Sequence, residues 1–133
     1  MLKVLYNLPR PVIHHKCIGC HGCKSSHDHI IPKSMLKSSE AQKDPHNMFI
    51  ICDPLNKEKG NKSFFSTKLS AQLTNDGKGA IARSLLYMKL RHDIDIPDVS
   101  LIQSWDQLYP PNKDEIDRNT ALSQKYGPNP FIQ

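Results

Sequence analysis

The stretch from His27 to Ser34 reads HDHIIPKS, and the one from His46 to Asn61 reads HNMFIICDPLNKEKGN. Together they supply an adjacent Asp28 and His29, an asparagine eighteen positions after that histidine (Asn47), an apolar run, and a second asparagine nine positions further on (Asn56). Metal-assisted hydrolysis of a phosphodiester calls for such a set. A water must lose its proton, a cation must neutralise the charge growing on phosphorus and on the leaving oxygen, and both must be held in line. Histidine, with an ordinary pKa of about 6.5, is neutral at working pH yet able to take a proton, so His29 is the candidate general base. Asp28 offers a hard anionic oxygen and Asn56 a hard neutral one, donors that suit Mg²⁺ better than zinc. So few protein ligands leave the rest of the octahedron to water and the scissile phosphate.

The elements that must position these groups follow from the flanking residues. Asp28 and His29 are expected to close one strand, Phe49, Ile50 and Ile51 to fall on the return strand, and Pro54-Leu55-Asn56 to open a short helix. Proline is tolerated in a first helical turn, where its missing N–H would have had no partner. An Asp–His pair by itself is commonest as a loop or cap; the asparagines and the strand-then-helix context give this one chemical meaning. Residues 33–46, KSMLKSSEAQKDPH, are polar and read as the loop crossing between the strands. Lys33, Lys37 and Lys43 in it are placed to reach a phosphate, although solvated loop lysines are the commoner case. Lys57, Lys59 and Lys62 surround Asn56 and Asn61, either as phosphate contacts or as an exposed helix face.

A Cys/His-rich segment, HHKCIGCHGC, precedes the hairpin. Cys17, Cys20 and Cys23 are each separated by two residues, His14, His15, His21 and His27 lie close by, and Cys52 falls in the return strand. In a reducing compartment this density reads as a structural zinc site; in an oxidising one the four cysteines make two disulfides; unpaired thiols are the third alternative. The opening MLKVLYNLPRP has too short an apolar segment and no small-residue cleavage site for a signal peptide, which favours zinc. Cys23 lies five residues before Asp28 and Cys52 four before Asn56, so a cross-link between them would pin the two halves of the hairpin.

At 133 residues the chain is expected to form one domain, residues 1–133, with a modest core. A hydrophobic fraction of 38% and a mean hydropathy of −0.54 describe a polar chain, and no apolar run approaches the roughly 20 residues of a membrane span. No membrane partner is expected, and an intracellular location unless a leader has been removed. Eighteen Lys and Arg against thirteen Asp and Glu give a net charge of +5 and a pI near 9.1, which favours an anionic partner without specifying one. Ten prolines imply short elements joined by irregular loops.

Residues 2–6 read as a short helix or strand. Residues 63–78 read as a linker with NDGKG as its turn signal. From Gly79 to about Arg91 the spacing predicts a helix whose apolar face carries Ile81, Leu85 and Met88 with Ala82, Leu86 and Leu90. Arg83 falls inside that face, where a buried guanidinium needs a carboxylate or a phosphate. A second helix is predicted over Pro97–Tyr109 with Leu101, Ile102, Trp105 and Leu108, stopped by Pro110-Pro111, and a third over Lys113–Gln124 with Glu115, Ile116, Arg118, Asn119 and Leu122. The closing GPNPFIQ is expected to be extended and packed back on the body. The class is therefore α+β: a hairpin and short helix packed with several C-terminal helices.

Taken in order, DHIIPKS, DPHN, LNKEKGN, KGAIARSLLYMKLRH from Lys78, the Trp105 helix ending LYPP, Glu115-x-x-Arg118-Asn119 and GPNPF from Gly127 resemble the endonuclease I group. These are exported non-specific nucleases of the ββα-metal, or His-Me finger, class, and the likeness spans roughly residues 17–133. It implies a ββα-metal core and a Mg²⁺-dependent, sequence-tolerant endonuclease acting on DNA, with RNA a further substrate, that leaves 5′-phosphate and 3′-hydroxyl ends. By the same resemblance His29 is the general base, Asp28 the acidic metal ligand (usually Glu in the family), Asn56 the second ligand, and Asn47 the residue that sets the hairpin around the base. Lys59 stands where the family usually has Arg. The family's arginine for the leaving side has no matching counterpart; Lys33, Lys37, Lys43 and Arg83 are the candidates, and Lys59 and Asn61 join them as substrate-binding residues. Nothing resembles a base-reading module, so contacts are expected to run along the phosphate backbone and to weaken steeply with salt. The competing expectation is a nuclease-derived structural or nucleic-acid-binding protein without turnover, its Cys/His cluster holding zinc. The chain departs from the family in lacking an evident leader and in a trimmed segment between Asn61 and Gly79.

Overall fold

The computed structural model describes residues 25–52 and 73–132. In chain order these are strand β1 (Ser25–His29), a 3-10 turn (Lys33–Met35), helix α1 (Ser39–Gln42), a second 3-10 turn (Pro45–Asn47), strand β2 (Met48–Cys52), and helices α2 (Asn75–His92), α3 (Val99–Leu108) and α4 (Lys113–Tyr126). The arrangement is α+β: a two-stranded antiparallel sheet beside helices. Among the described residues no helix is long and apolar enough to cross a membrane. The expected helix from Pro54, the segment at residues 2–6 and most of the linker lie outside the described residues.

The strands pair in the register Asp28↔Phe49 and His29↔Met48. Aromatic and β-branched residues in MFIIC favour the extended chain, and β1 stops at His29, where the backbone bends at Ile30. The polar stretch between the strands is built rather than loose. Ser38 Oγ accepts from Ala41 N and caps α1, while Asp44 Oδ1 accepts from His46 N and caps the second 3-10 turn, with Pro45 in its first position. Ile30, Ile31, Leu36 and Ala41 go into the core from this segment.

Helix α2 is the element the rest packs around. Ile81, Ala82 and Met88 are fully enclosed, and Arg83 and Ser84 are buried with them, so this helix is covered on every side through its middle. Ile102 and Trp105 of α3 complete the main core, while Leu122 of α4 and Met48 of β2 form a smaller cluster against Ala121 and Tyr126. Each enclosed side chain of this size contributes about 1.5–3 kcal/mol by leaving water.

Three expectations need correction. NDGKG is the first part of α2, not a turn: Thr74 Oγ1 accepts from Gly77 N, and Asp76 favours the positive end of the helix dipole. Gly79 serves close packing, since a Cβ there would lie 2.1 Å from the Tyr109 carbonyl oxygen where α2 meets the end of α3. Leu90 and Leu108 are not core; they are 67% and 66% exposed, beyond the ends of the covered stretches. The tail does pack back, through the buried Asn129 and a turn at residues 130–131.

Candidate active site

Asp28 and His29 close β1 as expected, and both are half-buried. Neighbours on a strand leave it on opposite faces, so Asp28 lies on the face of its partner Phe49, and His29 on that of Met48. One phosphate can meet both only where the pleat ends, which is where the pair stands.

His29 Nε2 is 3.1 Å from the backbone carbonyl of Gln42, the last residue of α1. A carbonyl only accepts, so this nitrogen carries a proton, and in the neutral ring the lone pair belongs to Nδ1. An imidazole fixed in one tautomer is what general base catalysis requires.

Asn47 is completely buried, and its amide spans the gap between the strands just beyond His29. Its Oδ1 accepts from Ile31 N at 2.9 Å, its Nδ2 donates to the Ile31 carbonyl at 3.0 Å, and its own carbonyl accepts from Ile30 N at 2.8 Å. Fully enclosed, Asn47 ties the end of β1 to the second 3-10 turn through Ile30 and Ile31; the resemblance grouped it with the catalytic residues as the one that sets the hairpin around the base, and its burial fits holding the strand rather than meeting a substrate.

The turn that carries Asn47 is itself held from below. Asp44 Oδ2 accepts from Tyr87 Oη at 2.7 Å and from His92 Nε2 at 2.8 Å, both on α2. Ser84 Oγ donates to the His46 carbonyl at 2.6 Å, and His46 Nε2 donates to the Gly127 carbonyl at 2.9 Å. Burial pushes the His46 imidazole below the usual histidine range; the Gly127 carbonyl and the Asp44 carboxylate oppose this without overcoming it. The Tyr87 hydroxyl is pushed up, first by burial and then by Asp44, and stays protonated as a donor.

Arg118 of α4 reaches the same turn, donating from Nη2 to the carbonyls of Pro45 at 2.7 Å and Met48 at 2.6 Å, with its guanidinium 4.7 Å from the Phe49 ring centroid. Burial pulls it down to about 10, against the pull of Glu115 and Asp44, which leaves it cationic at neutral pH.

Arg83 is withdrawn from the substrate-binding residues. It is 0% exposed, and of the two partners a buried guanidinium can have, the fold supplies carboxylates: Nε and Nη2 donate to Glu115 at 2.6 and 2.8 Å, and Nη1 to Asp106 at 3.2 Å and to the Tyr109 carbonyl at 2.8 Å. Burial works against its charge, but these carboxylates outweigh it and hold the group above the ordinary arginine range. Lys33 and Lys43, with Lys37, are exposed along the segment whose Gln42 carbonyl meets His29.

Asn56, Lys59, Asn61, Cys17, Cys20 and Cys23 lie outside the described residues, as does the side chain of Cys52, whose backbone ends β2. Among the described residues no group of three or more His, Cys, Asp or Glu is placed to hold a metal ion. The expected Mg²⁺ site is not of that kind, being one carboxylate and one amide. Asp28, a hard oxygen donor one residue before the end of β1, is of the chemical type its half of that site needs.

Sequence reasoning passed over Gln42, Asp44, Ser84, Tyr87 and His92. All but Gln42 fall inside DPHN or KGAIARSLLYMKLRH, and Asp44 also opens the Asp-Pro step that starts a turn. No protein-family model matches the chain, and no curated protein matches it.

Proposed function

We propose that this protein is a Mg²⁺-dependent, sequence-tolerant endonuclease of the ββα-metal kind, hydrolysing phosphodiester bonds of DNA, and of RNA as a further substrate. One observation carries the reading: a half-buried histidine at the end of a hairpin strand, its Nε2–H held by a backbone carbonyl and its strand fixed by a buried asparagine. His29 takes a proton from water at Nδ1 as the attack on phosphorus proceeds, and the Gln42 carbonyl steadies the imidazolium that results. Asp28 and Asn56 would hold the ion, which supplies charge neutralisation at the phosphate and the departing 3′ oxygen when bound. Lys33, Lys37 and Lys43 draw the backbone toward the strand end, so binding weakens with salt. The resemblance adds 5′-phosphate and 3′-hydroxyl products and the roles of Lys59 and Asn61.

The test is plasmid nicking in Mg²⁺. Wild type converts supercoiled to open-circular DNA, and His29→Ala lowers the rate by about 10²- to 10⁴-fold, the usual worth of a general base. Equal nicking by both would overturn the assignment of the base.

A second reading, a nuclease-derived nucleic-acid-binding or structural protein without turnover, draws on the arginines. All three described ones are committed within the protein: Arg83 to Glu115 and Asp106, Arg91 to Glu40, Arg118 to two carbonyls. Among the described residues the leaving side is then left to the lysines and to Arg91, whose pair with Glu40 is exposed. Salt-sensitive DNA binding with no nicking under any of Mg²⁺, Mn²⁺ or Ca²⁺ would favour that reading.

A further inference from the structure

The carbonyl that receives the His29 Nε2–H belongs to the last residue of α1, a helix of four residues. One turn of helix is not stable by itself. Something must hold that carbonyl still. Gln42 Nε2 donates to the Leu36 carbonyl at 2.7 Å, and Leu36 is 3% exposed in the main core, so the side chain moors the end of α1 to a fixed point. Ser38 Oγ, accepting from Ala41 N at 3.0 Å, secures the other end. The route from core to base is short: Leu36 carbonyl, Gln42 amide, Gln42 carbonyl, His29 ring.

We propose that the Gln42 side chain is a positioning residue for His29: moored on the Leu36 carbonyl, it fixes the backbone carbonyl that selects the Nε2–H tautomer of the imidazole. The catalytic consequence rests on reading His29 as the base; the tautomer itself does not. Without the amide donor the end of α1 frays, the acceptor wanders, and the Nε2–H form loses the bond that favours it. A residue acting in this way governs the chemical step more than binding.

The measurement is ¹⁵N NMR of the histidine rings at alkaline pH, with His29 assigned from its loss in His29→Ala, on wild type, Gln42→Met (equal reach, no donor), Gln42→Lys (a donor restored) and Ser39→Ala as an exposed control. Wild type and Ser39→Ala should show His29 in the Nε2–H form alone. Gln42→Met should add an Nδ1–H population, and Gln42→Lys should reverse it. In the nicking assay Gln42→Met should lose about 10- to 100-fold in kcat with KM within about twofold, the scale of lost outer-shell support. A single Nε2–H form and unchanged kcat in a folded Gln42→Met overturns the proposal while leaving the nuclease reading standing. A tautomer shift in a protein whose wild type nicks nothing supports the mooring and removes the nuclease reading instead.

Discussion

Two buried polar clusters meet on α2 and do different things. Around Arg83 the bonds run mostly between side chains of opposite charge, one guanidinium against Glu115 and Asp106, and they bolt three helices together. Around Asp44 and Asn47 the bonds run mostly to backbone: Asn47 to Ile31, Ser84 and Arg118 to the carbonyls of the turn, His46 to Gly127. Charge neutralised by charge fixes elements as rigid bodies. Amides and hydroxyls spent on peptide groups fix the path of the chain itself, and so decide where His29 points. The contrast teaches that enclosure of a polar residue identifies neither ligand nor base; what it is bonded to distinguishes a bolt from a guide.

The comparison can be broken most forcefully at Arg83. Arg83→Leu leaves Glu115 and Asp106 facing a hydrocarbon, and unfolding in urea should show a loss of about 3–5 kcal/mol, the usual cost of orphaning a buried charge partner. At a temperature where the variant is still folded, its nicking rate should match wild type. Asn47→Ala should cost less, about 1–3 kcal/mol for the two Ile31 groups left unpaired, yet slow nicking in the folded variant because the end of β1 loses its guide. Equal effects on rate from both would erase the distinction.

The smallest effect is on acid stability. The His46 imidazole is held below the usual range, so the fold favours its neutral form. Its contribution is complete above the unfolded value of about 6.5 and is lost as pH falls from there toward the lowered folded value. Tm should therefore decline below that pH more steeply in wild type than in His46→Gln, whose amide still donates toward Gly127. Parallel Tm curves would show that the turn is indifferent to this group.

Much of the frame was legible because it is local. An apolar, β-branched run marked β2, the Asp28–His29 pair marked the end of β1, and Pro110-Pro111 separated the last two helices. NDGKG misled because glycine signals a turn when neighbours along the chain are all one sees; the Tyr109 carbonyl that needs Gly79 lies thirty residues away. The Glu115, Arg118 and Asn119 pattern was visible, but not its meaning. Each side chain ties α4 to a different place: Arg83, the Pro45–Met48 turn, and the backbone of Asn129. The site divided in the same way. His29 and its place at the end of a strand could be read from residue type, whereas the Gln42 carbonyl could not, since a main-chain acceptor has no letter in the sequence.

The bond between His46 and Gly127 joins residues 81 positions apart, and Asn129, two residues further, donates to the Arg83 carbonyl. Loop closure over such a span is late and slow. During synthesis the hairpin residues emerge well before residues 127–129, so the contacts that His29 makes within residues 29–47 are available first, and the bond from His46 that braces the turn from beneath is added later.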